Sequence, residues 1–203
     1  MKNLTTTAKK LDKVFEIAHI VVSALVVACL VFIVLIGLAY VMGWDPEFIG
    51  TGYESFDVGF LELEVAEAHA PDKWLVLLQA AIMLVVGSRA LWECRRGIGY
   101  IRAILAPMME GQPFDGAVST NLKKLAKLSV VLGILINIII LTEQIMAVFV
   151  FDLPGLLISE KITHVGGIFQ VDLTFVVCWA VFLLLSYVFR YGEQLQQLSD
   201  ETL

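Results

Sequence analysis

The stretch Tyr100-Ile-Arg-Ala-Ile-Leu-Ala-Pro-Met-Met-Glu-Gly-Gln-Pro-Phe-Asp-Gly-Ala-Val-Ser-Thr-Asn-Leu-Lys-Lys-Leu-Ala-Lys-Leu128 decides how the chain folds, because it is a polar, basic interlude in a very apolar sequence. Apolar residues fall at Ile98, Ile101, Ile104, Leu105 and Met108 before the turn and at Val118, Leu122, Leu125 and Leu128 after it, a helical spacing on both sides. Each flanking helix is therefore expected to continue past the lipid. Gly111 suits the left-handed stop of the first helix, Pro113 cannot continue it, and Asp115 can cap the second. The reading is a helical hairpin over 95–127 with its tip at Gly111 to Phe114, turning two membrane helices around on the cytoplasmic side.

Outward from the hairpin, the composition excludes a soluble core: 59% of the 203 residues are hydrophobic, and the mean hydropathy is +0.84. Four membrane spans are expected, at about 18–43, 74–94, 128–151 and 173–191, within a single domain covering 1–203. The run from Ile20 to Trp44 carries no charge and is too long for the apolar part of a signal peptide. The loops at 44–73 and 152–172 form a small extracytoplasmic cap. Phe60 to Val65 alternates apolar with acidic residues as a half-buried strand does, and residues 162–171 around Gly166-Gly167 read as a short hairpin that can share a sheet with it.

The net charge of −6 resolves by side of the membrane. With both termini inside, twelve cations lie on the cytoplasmic side: Lys2, Lys9, Lys10 and Lys13; Arg89, Arg95, Arg96, Arg102, Lys123, Lys124 and Lys127; and Arg190. Only Lys73 and Lys161 lie outside. These inner cations lie along the membrane surface, where anionic lipid explains them, and without interleaved aromatics they do not read as a nucleic-acid contact. The tail beyond Tyr187 continues the fourth helix, with Tyr191, Leu195 and Leu198 on one face expected to pack against the hairpin.

Catalytic signatures are missing: there is no G-x-S-x-G, H-E-x-x-H, P-loop or dinucleotide fingerprint, so no enzyme, catalytic residue or cofactor is expected. Cys29, Cys94 and Cys178 are spread over apolar segments as small packing residues. His69 and His164 in the outer loops, brought together, are able to hold a divalent cation, but a solvated acidic cap is the better reading and no metal site is assigned.

Polar residues inside a bilayer are each a functional hypothesis by default. Glu143, about 12 Å from the outer end of the third span, sits beside Gln144 and at a depth similar to Gln79. A protonatable element of an ion path is one reading; a Glu143 to Gln79 hydrogen bond between helices is preferred, since a path would carry more such groups. Arg89 snorkels to phosphates or pairs with Glu16, and Asn137 clamps a neighbouring helix. Gly37, Gly87 and Gly133 allow close helix approach. At the hairpin tip, Met108, Met109, Pro113 and Phe114 expose adaptable apolar surface, which suits a protein partner, with Asp115 and Asn121 in the same stretch.

The tip Gly111-Gln-Pro-Phe-Asp, the following Asn121-Leu-Lys-Lys-Leu and the ending Gly192-Glu-Gln-Leu-Gln-Gln-Leu-Ser-Asp-Glu-Thr-Leu203 resemble the YoaS-like bacterial family of four-span membrane proteins of unknown function. That family has a similar G-x-P-F tip, N-x-x-x-L sequence and acidic Asp-x-Thr ending, and its gene often lies beside one for a small helix-turn-helix regulator. The resemblance implies a bacterial inner-membrane protein whose cytoplasmic partner is such a regulator. The expectation is thus an all-α membrane protein of four transmembrane helices, with a cytoplasmic hairpin and a small outer cap carrying short β-strands. Its expected function is that of a non-enzymatic sensor or anchor, with the bilayer and a regulator as partners and homo-oligomer formation left open. The alternatives are a small transporter using Glu143 and Gln79, or an immunity-type protein acting through its outer loops.

Overall fold

The computed structural model describes residues 2–43, 54–58, 61–65, 73–150, 155 and 170–201. Four helices dominate it: α1 (Lys2–Val41), α2 (Lys73–Met109), α3 (Gly116–Ile145, continued by a π-helical turn over Met146–Val150) and α4 (Thr174–Glu201). All four are long and apolar enough to cross a membrane. At 1.5 Å per residue the 40 residues of α1 and the 37 of α2 run about 60 and 55 Å, well beyond a 30 Å hydrocarbon layer, so each has length to spare outside lipid. Between α1 and α2, β1 (Glu54–Val58) pairs antiparallel with β2 (Leu61–Val65), Glu54 opposite Val65 and Val58 opposite Leu61. The strand pair expected around Gly166-Gly167, any sheet shared between the two loops, His69 and His164 lie outside the described residues.

Local chemistry ends the helices. Gly43 closes α1 at φ +62°, a backbone region open to glycine without steric cost. The end of α2 is a Schellman motif: Gln112 N donates to Pro107 O at 2.9 Å and Gly111 N to Met108 O at 3.3 Å, with Gly111 at φ +83°. Asp115 then starts α3, its Oδ1 accepting the Ala117 amide at 2.7 Å.

The chain divides into two compact units. The first comprises Met1–Ala28, Gly87–Asn137 and Asp172–Leu203. Its centre is α3, which buries Val118, Ser119, Leu122, Leu125, Ala126 and Leu128. In it α1 and α2 run antiparallel, in a register fixed by Asp12 with Arg102 and, seven residues on, His19 with Arg95. Gly97 lets α2 approach α3, since a Cβ there would lie 2.7 Å from Leu128 Cδ2. Gly133 lets α3 approach α4, where a Cβ would overlap the Phe175 ring. Gly37 and Gly87, in contrast, face no atom within 4 Å of an added Cβ and mediate no close approach.

The register of α4 against α3 is set by three contacts. Phe175 lies against Gly133, Tyr187 against Lys123 and Glu193 against Gly116. The helix thus runs antiparallel beside residues 116–137 of α3. The physical reason is Asn137, which holds the backbone of Asp172 and so fixes where α4 begins.

In the second unit, Cys29–Val86 and Ile138–Val171, Tyr40 and Trp74 meet edge to face with ring centroids 5.0 Å apart. They flank an apolar cleft of about 580 Å³ between α1 and α2 that Ile33, Ile36, Leu77 and Leu78 help to line.

Candidate functional site at the α2–α3 hairpin

At the hairpin tip the expected partner-binding residues separate into two groups. Met108, Met109 and Pro113 are half-buried and Phe114 is 41% exposed, so apolar surface does reach the outside. The Phe114 ring is also tied to the tail: its centroid lies 6.0 Å from that of Phe189, and its edge covers Gly192, where a Cβ would overlap it. Asp115 and Asn121 are engaged in local structure. Asp115 caps α3, and Asn121 is buried, its Nδ2 donating to Ala117 O at 2.8 Å and its Oδ1 accepting from Lys124 Nζ at 3.3 Å.

The tail meets the hairpin through a different face from the one expected. Tyr191, Leu195 and Leu198 are exposed, while Phe189, Gly192 and Glu193 turn inward. Between tip and tail lies a cleft of about 270 Å³ lined by Gln112, Asp115, Glu193, Gln196 and Gln197, with Phe114 on its wall. This lining of amides and carboxylates offers acceptors to a cationic or amide-bearing group.

The arginines of α2 are mostly neutralised. Glu93, only 2% exposed, forms ion pairs with Arg89 and, at 3.1 Å, with Arg96. Arg89 therefore finds its carboxylate one turn along its own helix rather than at Glu16 on α1. The sequence carried the signal in the spacing Arg89, Glu93, Arg96, which places three charges on one helical face. Arg96 also donates to Tyr100 Oη at 3.3 Å. Arg102 donates to Asp12 at 2.8 Å, and this guanidinium holds the Asp12 carboxyl below its ordinary value. Lys123 and Lys124 lie over the rings of Tyr187 and Tyr100 at 5.7 and 5.5 Å.

Among the polar residues of the apolar helices, Asn137 acts as a clamp. Its Nδ2 donates to Asp172 O and its Oδ1 accepts from Asp172 N, both at 2.8 Å. In the second unit Gln144 repeats the pattern on Gln170, accepting from its amide at 3.1 Å and donating to its carbonyl at 3.4 Å. Asp172 in turn accepts from the Thr174 hydroxyl and amide, which hold its carboxyl below the ordinary value. Gln79 is half-buried and Glu143 exposed, and no hydrogen bond joins them. Among the described residues no group of three or more His, Cys, Asp or Glu is placed to hold a metal ion. Comparison with protein-family models, curated proteins and solved structures finds no match to the chain.

Proposed function

We propose that this is a bacterial inner-membrane sensor or anchor with both termini in the cytoplasm, whose hairpin tip and tail bind a soluble partner. The observation that carries the reading is Phe114, partly exposed and seated on the Gly192 turn of α4 beside the cleft of amides and carboxylates. An aromatic anchor next to acceptor groups fits a partner surface that is apolar at its centre and basic at its edge. A small helix-turn-helix regulator has such basic surfaces, and the family resemblance supports it as the partner. The twelve-to-two distribution of cations supports the orientation.

Because α2 and α3 are each continuous from the membrane segment into the hairpin, a signal favouring one packing of the bundle would alter how the tip is presented. The test is affinity capture of the tagged full-length protein from its own membranes in mild detergent, comparing wild type with a Pro113→Ala/Phe114→Ala variant. A small DNA-binding protein recovered only with wild type supports the reading; identical partners in both samples overturn it.

Transport is the second reading, and exposed Glu143 gives it a residue. Yet Asn137 and Gln144, which would line a polar path with it, spend their amides on backbone groups. A Glu143→Gln variant that abolished uptake of a solute would restore the transport reading.

A further inference from the structure

Arg95 differs from the other arginines of α2. Arg89 and Arg96 share Glu93, and Arg102 has Asp12, whereas Arg95 meets no carboxylate among the described residues. Its guanidinium is nonetheless held in place. The Nε donates to His19 Nε2 at 3.2 Å, and Cζ lies over the Trp92 ring, 5.4 Å from its centroid. His19 is an acceptor here, so it contributes no negative charge, and among the described residues the two terminal nitrogens of Arg95 meet no acceptor. A pre-oriented, half-buried, unneutralised guanidinium fork matches two oxygens of a phosphate group.

The surroundings select the kind of phosphate. His19 stands at the foot of the uncharged run that begins at Ile20, so the fork lies where polar helix gives way to apolar helix. Trp92, one turn before Arg95 and 47% exposed, is the residue type that anchors helices at membrane interfaces. Apolar surface at the exposed indole thus lies directly beside the cationic fork, which is the arrangement an amphiphile requires. The geometry points to Arg95, oriented by His19 and Trp92, as a binding site for the phosphate of a phospholipid headgroup, with the acyl chain lying against the exposed Trp92 ring.

Native mass spectrometry of the full-length protein in detergent, titrated with short-chain phosphatidylglycerol, tests the assignment. Wild type should retain the lipid, and Arg95→Gln should weaken binding about tenfold. Trp92→Leu, which keeps the charge and removes the ring beneath it, should weaken binding about threefold. Lys127→Gln removes an exposed cation with no partner among the described residues and should change binding less than twofold. Circular dichroism checks that each variant keeps its helices, and if Arg95→Gln does not, Trp92→Leu decides. Equal losses for Arg95→Gln and Lys127→Gln would overturn the site in favour of diffuse charge attraction. Full competition by glycerol phosphate or inorganic phosphate would overturn the lipid assignment in favour of a soluble phosphoanion.

Discussion

Asn137 illustrates how one polar side chain sets the geometry of a helix that its own segment does not contain. Its amide satisfies both backbone groups of Asp172, in a contact where Asn137 itself is buried. An Asn137→Leu variant fits the space but leaves an N–H and a C=O unpaired, at a cost of about 2–3 kcal/mol. Thermal unfolding in detergent should show a midpoint several degrees lower, while Asn137→Gln should recover part of the loss. A second residue-scale test concerns Asp12, whose carboxyl is depressed by its hydrogen bond to Arg102. The pair is formed above the unfolded carboxylate value, and its contribution is lost as pH falls through the lower folded value, below about pH 4. Asp12→Asn should therefore be less stable than wild type at pH 7, and the two should converge in acid. A constant gap down to pH 2 would show that the pair has no such linkage.

At the scale of elements, the contact between the hairpin and α4 depends on Gly192. Alanine there forces Phe114 off the helix, and because that ring is partly exposed it can swing away at a cost of about 1 kcal/mol. Gly192→Ala should thus leave the thermal midpoint nearly unchanged while reducing partner retention in the capture experiment. Loss of stability with full retention would assign Phe114 a packing role alone. The hairpin ends were readable in the sequence because glycine at positive φ and an aspartate cap act over a few residues. The packed face of α4 was not readable from its apolar periodicity. In a membrane chain apolar residues face lipid as readily as protein, so Tyr191, Leu195 and Leu198 gave no direction. The small residues at Gly97, Gly116, Gly133 and Gly192 mark the close approaches instead. Glu93 was legible in principle from its i, i+3 and i+4 spacing to arginine, but its burial depends on neighbouring helices.

For the whole molecule, the count of four long apolar helices follows from sequence because a bilayer sets a minimum length and hydropathy for each. The orientation across the membrane is a separate question, decided by charge. Asp57 stands in β1 between the first two helices and Gln112 at the hairpin tip between the second and third, so the two positions must lie on opposite sides if α2 crosses once. In a background with Cys29, Cys94 and Cys178 replaced by alanine, Asp57→Cys should react with a membrane-impermeant maleimide on intact cells. Gln112→Cys should react only after permeabilisation. The reverse pattern would place the hairpin outside and remove the cytoplasmic partner from consideration. Reaction of both positions on intact cells would mean that α2 does not span, leaving its Arg89–Glu93–Arg96 group on the outer surface. The expected outcome has a physical basis beyond counting. Turning the chain over would carry seven cations and only three carboxylates of 89–127, a net charge of +4, across the bilayer against the membrane potential, at about 2.3 kcal/mol per charge per 100 mV.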